Sequence, residues 1–317
     1  MTDAPLTDPI DDLLDVLDLT YEGPTTIQVA SPTEATGDLG ESPGEVFTGR
    51  SQPQPHGRVF GGQVLAQCVV AAGRTVNSTD DGDHALSTPR HIHSLHGYFL
   101  RPGDASKPIQ FVVEAMRDGR SFSARRVHAT QEGRILLSLI TSFQDDSDGL
   151  DHHLAMPTVP GPEELRSDRD ILSRIDHPVA RHSARSRAVD LRHVEPLLLA
   201  PAEPGPSEQS VWLRVERELP DDDLLHAAIL AYASDYVLLE PVLRRHGIGW
   251  GDPRLRPASL DHAMWFHRPA RLDDWVLYTQ SSPSAQSGRG LGLGHMFAAD
   301  GTLLATVGQE GMVRLKS

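Results

Sequence analysis

The chain reads as an α+β protein built from two copies of one unit, each an antiparallel sheet wrapped around a single apolar helix. Three observations predict this. Residues Gly61–Val76, GGQVLAQCVVAAGRTV, are apolar almost all round and carry no charge before Arg74, so a helix there must be covered on most sides. Four runs of strand character follow, at 92–100, 109–116, 121–130 and 135–143. The same order then returns in the second half, where WFHRPARLDD around Arg268-Pro269 answers HGYFLRPGD around Arg101-Pro102 at an offset of 167 residues.

Taken in order, residues 1–50 hold eleven acids and one base, Arg50. Within them Asp8 and Pro9 are a cap and first-turn signal. Ile10, Leu13, Leu14, Val16 and Leu17 then recur at helical spacing, predicting a short helix. The Pro-, Thr-, Gly- and Glu-rich stretch 31–43 reads as a loop. After the apolar helix, Asp118-Gly119 and Glu132-Gly133 stand where tight hairpins need positive φ, so the last three strands of this half form an antiparallel meander. Residues 146–207 are rich in Asp, His, Pro and Arg with only short apolar runs. They read as the connection between an N-terminal unit, 1–145, and a C-terminal unit, 208–317. In that second unit a strand at 211–215 precedes a helix over 222–244 and strands near 258–267, 275–282, 288–297 and 302–313. Carrying the repeat forward sets Asp118-Gly119 near Gly288-Arg289 and Glu132-Gly133 opposite Asp300-Gly301. Two such sheets joined edge to edge leave fewer open edges. That architecture is a double hotdog.

Composition narrows the function classes. With 29 Lys+Arg against 44 Asp+Glu the net charge is −15, which argues against a nucleic-acid or anionic-membrane binder. A single cysteine, Cys68, excludes an internal disulfide framework and a Cys-based zinc or iron–sulfur site, and points to a reducing, cytoplasmic setting. Nowhere do about 18 uncharged apolar residues follow one another, so no membrane span is expected.

Five motifs, VFGGQVLAQ from Val59, HGYFLRPGD from His96, SFSARRV from Ser121, LDHAMWFHRP from Leu260 and GQEGMVR from Gly308, together resemble the type II acyl-CoA thioesterases. They occur in the family's order over most of the chain. The resemblance implies hydrolysis of fatty acyl-CoA to free acid and CoA on a double-hotdog fold. It implies neither metal nor organic cofactor, and a homo-oligomeric assembly. Its catalytic group is an Asp late in the second hotdog helix, a Thr at the start of the next strand and a Gln in the last strand. The matching positions are Asp235 in YASDYVLL, Ser259 in ASLDH and Gln309 in VGQEG. Ser259 departs from the family's Thr but keeps a hydroxyl that donates and accepts.

The residues support a site there on their own. Asp235 is a carboxylate in an apolar stretch that includes Ile229, Leu230, Ala233, Val237 and Leu238, where burial costs several kcal/mol unless the charge is hydrogen-bonded. Laid on the first helix it falls opposite Val70, so only one copy carries it. Thioester hydrolysis needs a positioned water, a group to take its proton and donors for the developing oxyanion. Asp235 serves as the base, Ser259 and Gln309 fix the water, and backbone N–H groups at a helix N-terminus receive the oxyanion. Gly61 and Gly62 allow close backbone approach, and Gln63 beside them is a candidate substrate contact. CoA is polyanionic, so a local basic patch is expected, with Arg101, Arg125 and Arg126 as candidates.

Other readings stay open at this point. His91, His93 and His96 have near-metal spacing, but strand alternation puts only the first two on one face. Asp261-His262 is the pair a hotdog hydratase would need, although strand neighbours point to opposite faces. Packing or support of the site is the plainer role for His262. Cys68 reads as core, and the glycines at 288, 290, 292 and 294 as positions of close packing. A non-catalytic acyl-CoA binder is the third alternative.

Overall fold

The computed structural model describes residues 8–30, 39–76 and 89–316. Helix α1 (Pro9–Leu17) starts as expected, with the Asp8 side chain accepting from the Ile10 and Asp11 N–H groups, and it buries Leu13, Val16 and Leu17. Strands β1 (Thr20–Ala30) and β2 (Leu39–Gly49) then form an antiparallel hairpin. Residues 39–43 are therefore strand rather than loop, and 31–38 lie outside the described residues. Beyond Gly44, β2 pairs on its second side with β4 (Ile109–Asp118), whereas 39–43 pair with β1 alone. That open edge tolerates the proline and glycine that make the segment look loop-like.

The rest of the first half is α2 (Gly61–Val76), β3 (His91–Phe99), β4, β5 (Phe122–Gln131) and β6 (Arg134–Gln144), the last three a meander. Glu132 and Gly133 take φ of 50° and 73°. Gly119 does not take positive φ. The turn there is wider, closed by the Gly119 N–H on the Phe122 carbonyl at 2.9 Å.

The connecting segment is structured, with α3 (Asp168–Leu172), α4 (Pro178–Ser186) and β7 (Val189–His193), which pairs with β8 (Glu208–Val215) and extends the second half's sheet. There follow α5 (Asp223–Ser234), α6 (Glu240–Arg245), β9 (Leu255–Ser259), β10 (Asp261–Phe266), β11 (Val276–Gln286), β12 (Arg289–Ala298) and β13 (Leu303–Leu315). The second-half helix expected over 222–244 is thus broken between Ser234 and Glu240. Pro241 explains the break: it lacks an N–H and its ring would strike the carbonyl four residues earlier, so the helix restarts with Pro241 in its first turn.

The two halves share one antiparallel sheet in the order β1-β2-β4-β5-β6-β3-β10-β13-β12-β11-β8-β7, with β9 added on β13. The junction is the β3–β10 pair, in which His96 faces Ala263, its own counterpart at the 167-residue offset. Equivalent strands therefore meet about a local two-fold relation, as in an isologous interface. Inside, α2 and α5 pack against each other, and one apolar cluster runs from Leu65 and Val69 of α2 to Ile229 and Leu230 of α5, Met264 and Val307. This is the double hotdog, its two sheets merged into one.

Candidate active site

The broken helix places the carboxylate. Asp235 caps the C-terminus of α5, directly after the last buried turn, rather than lying within a continuous helix. Its Oδ1 accepts from the Ser259 hydroxyl at 3.1 Å, and Ser259 Oγ in turn accepts from Gln309 Nε2 at 2.7 Å. Ser259 ends β9, and Gln309 is a fully buried residue of β13, the strand that pairs with β9. The three residues expected to act together are in hydrogen-bond sequence.

The chain of bonds continues beyond them. Gln309 Oε1 lies 2.6 Å from His262 Nδ1, and His262 Nε2 lies 2.9 Å from Ser234 Oγ. Because the Gln309 amide nitrogen donates to Ser259, its oxygen accepts, which makes His262 Nδ1 the donor to it, while the Ser234 hydroxyl stands between His262 Nε2 and the Ala231 carbonyl, 2.8 Å away. His262 is completely buried, and burial pulls its pKa down to about 4 despite the bond to Gln309. It is neutral at physiological pH. Ser234 is the member of this chain that the sequence did not reveal. Its signal was slight: a hydroxyl next to the anomalous carboxylate, on a buried helix.

Electrostatics hold Asp235 in a poised state. Burial drives its pKa up to about 6, while hydrogen bonds from Gln309, Ser259 and the Gly62 N–H pull the other way. The Gly62 N–H belongs to the first turn of α2, whose positive end faces the carboxylate. That approach needs glycine. A Cβ on Gly61 would stand 2.7 Å from Asp235 Oδ2, and one on Gly62 would overlap the Tyr232 carbonyl oxygen. Around this contact Phe60 stacks on Tyr236 at 5.0 Å and meets Tyr232 edge-on at 5.1 Å.

Gln63 is placed otherwise than expected. It is fully buried, accepts from the Gln52 N–H at 2.9 Å and spends its amide hydrogens on Gln67 and the Arg50 carbonyl. It ties the segment before α2 to the core and has no hydrogen left for a substrate. Of the suggested CoA contacts, Arg125 is buried against Asp118 at 2.9 Å and Thr75, Arg126 is paired with Glu114 at 2.7 Å, and Arg101 reaches the Ile135 carbonyl. Arg125 and Arg126 are spent on their own sheet. The histidines at 91, 93 and 96 diverge, to Asp223, to Ser142 and against the Trp265 ring. Asp261 accepts from the Glu310 N–H, on the face away from His262, so the two do not form a proton-transfer pair. Cys68 is buried and free, its thiol pKa pushed up by burial, which leaves it no thiolate character.

This geometry lies on a chain with clear relatives. It is 34% identical over 319 residues to acyl-coenzyme A thioesterase 8 of Homo sapiens, covering 91% of this chain and 96% of that one. The chain belongs to the acyl-CoA thioesterase family. The family models for the acyl-CoA thioesterase and its N-terminal domain match residues 199–312 and 50–144 of this thioesterase. Acyl-CoA thioesterase 2 of Haemophilus influenzae is 35% identical over 273 residues, 85% of this chain and 92% of its own. Among solved structures, the acyl-CoA thioesterase II of Mycobacterium marinum superposes with a TM-score of 0.71 at 39% identity, covering 96% of this chain and 99% of that one. The double-hotdog fold and the thioester hydrolase class expected from the motifs are both borne out.

Proposed function

We propose that this thioesterase hydrolyses fatty acyl-CoA with Asp235 as general base and Ser259 and Gln309 as the groups that hold the base and its water. The observation that carries the reading is the 3.1 Å bond from Ser259 Oγ to Asp235 Oδ1, backed by Gln309 at 2.7 Å. It leaves Oδ2, beside the first turn of α2, as the oxygen that takes a proton. Water attacks the thioester carbonyl carbon as Asp235 removes its proton, and the carbonyl π pair moves onto oxygen. First-turn N–H groups of α2 receive that negative charge. Collapse of the tetrahedral intermediate breaks the C–S bond, and the departing CoA thiolate recovers the proton from Asp235. A base with a pKa near 6 is largely ionised at pH 7 yet basic enough to accept the proton.

The fully buried, hydrogen-bonded His262 fixes the Gln309 amide so that nitrogen, not oxygen, faces Ser259. It acts through Gln309 as a positioning residue. No proton-transfer pair with Asp261 competes for it, which favours hydrolysis over hydration. The reading includes a cytoplasmic setting, which the free, buried Cys68 suits, and a homo-oligomer. Tyr98, Ile140 and Trp265 are exposed on the strands at and beside the β3–β10 junction, an apolar patch of the kind a second copy covers. Among the described residues no helix is long and apolar enough to cross a membrane.

The test is thiol release from short, medium and long acyl-CoAs by the natural chain and by Asp235→Asn. Turnover by the variant is expected to fall at least about 100-fold. Near-normal turnover would remove Asp235 from the site. The natural chain's profile supplies the acyl length preference.

A further inference from the structure

Arg58, Arg256, Arg314 and Lys316 line one surface pocket of about 520 Å³, together with the apolar Ala258 and Met312. None of the four makes an ion pair with a carboxylate among the described residues, whereas Arg50, Arg192, Arg217 and Arg271 each hold two. Among the described residues Arg256 bonds the Pro253 and Leu255 carbonyls. In a chain of net charge −15, four cations gathered without counter-charge among the described residues stand out. The arrangement is costly as well: Arg256 and Arg314 stand directly opposite each other across the β9–β13 ladder, where like charges destabilise. Such repulsion is relieved by a polyanion bound between them, and guanidinium pairs suit phosphate through bidentate hydrogen bonds.

The pocket adjoins the chemistry. Ala258 precedes Ser259, whose side chain points to the other face of the strand. Arg58 is three residues from Gly61, a span of at most about 11 Å. Gly61 itself stands against the Asp235 carboxylate, so the Arg58 edge of the pocket is separated from that carboxylate by little more than this span. Resting on the thioesterase reading, the geometry points to this pocket as the seat of the 3′-phosphorylated ADP end of CoA. Arg58, Arg256, Arg314 and Lys316 hold its phosphates, and Ala258 and Met312 form the apolar floor.

The experiment compares hydrolysis of one acyl group carried on CoA and on pantetheine, which lacks the nucleotide, by the natural chain and by Arg256→Ala/Arg314→Ala. Arg217→Ala, whose side chain pairs with Asp8 and Asp11, serves as a charge control. The ratio of kcat/KM for acyl-CoA over acyl-pantetheine is expected to fall about 10- to 100-fold in the double variant, through KM, and to stay unchanged in the control. An unchanged ratio, or equal loss on both substrates, overturns the assignment. Should the natural chain release thiol from neither substrate, the thioesterase reading itself fails. Calorimetric titration with adenosine 3′,5′-bisphosphate then judges the pocket alone: binding that is lost in the double variant upholds it, and no binding to the natural chain overturns it.

Discussion

At the scale of single residues, the site is a line of groups each of which fixes the next. Ser234, His262, Gln309 and Ser259 lead to the Asp235 carboxylate, Gln309 donating to Ser259 and Ser259 to Asp235, while the Ser234 hydroxyl is also 2.8 Å from the Ala231 carbonyl. If Ser259 and Gln309 hold one water, Ser259→Ala and Gln309→Ala combine with less than additive loss in kcat, and full additivity would argue for separate roles. Ser259→Thr keeps the hydroxyl and is expected to retain activity. His262→Ala frees the Gln309 amide to turn over. It is expected to lower kcat about tenfold with KM little changed, whereas a merely structural effect would move stability and both kinetic parameters together. Asp235 also links function to stability. Its folded pKa of about 6 exceeds the ordinary Asp value, so ionisation disfavours the fold as pH rises from about 4 to 6. Asp235→Asn is therefore expected to be no more stable than the natural chain below pH 4 and more stable above pH 6, by up to about 3 kcal/mol. Denaturant titrations at pH 4 and 7 measure this, and a variant less stable at pH 7 would contradict the buried charge. Asp235 was legible in the sequence because a carboxylate among aliphatic residues is conspicuous. Ser234 was not, since a lone hydroxyl in a helix has many ordinary explanations.

At the scale of elements, one proline and a few glycines decide where the carboxylate stands. Pro241 stops the second-half helix from running through, so α5 ends and Asp235 turns toward α2. The segment after the break lies close against β12, where a Cβ on Gly292 would overlap the Leu238 carbonyl oxygen and one on Gly290 would stand 2.7 Å from Val242. Gly290, Gly292 and Gly294 carry the close packing that their spacing suggested, whereas Gly288 serves the turn before β12 at φ 74°. Gly62→Ala meets the Tyr232 backbone in the same way. It is expected to lose about 1–3 kcal/mol of stability and to displace α2 from the carboxylate, lowering kcat as well. A variant with unchanged melting temperature and activity would show that the two helix ends do not need this contact. The break was readable in Pro241, but the strength of the apolar pattern around it favoured one long helix. The edge hairpin of β1 and β2 was unreadable for the converse reason: its strand character comes from pairing, not from composition.

At the scale of the whole molecule, the connecting segment is tied to the second half by buried charge. His193 of β7 lies 2.9 Å from Asp168 of α3 and 3.3 Å from Glu240 of α6, all three buried. Burial alone would lower the imidazole's pKa, but the two carboxylates outweigh it and raise it to about 9. A histidine raised in the folded state contributes its full stability below about pH 6.5 and loses it as pH climbs through 9. The melting temperature of the natural chain is thus expected to fall between pH 6.5 and 9 more steeply than that of His193→Gln, and parallel curves would dismiss the ion pairs. Because α2 and α5 share one core, both halves are also expected to unfold in a single calorimetric transition, and two resolved transitions would contradict that core. The sequence by itself determined the repeat, the first central helix, the start of the second and most of the strands, and its resemblance to the family pointed to the three residues of the proposed catalytic group. Those follow from local periodicity and from motifs that survive in a single line of text. Only the tertiary structure decided that the two sheets merge through β3 and β10, that Gln63 faces the core, and that Arg125 and Arg126 are spent while Arg58, Arg256, Arg314 and Lys316 come together. Each of those depends on which partner a side chain meets across a strand ladder or from a distant loop, and one-dimensional spacing carries no record of that choice.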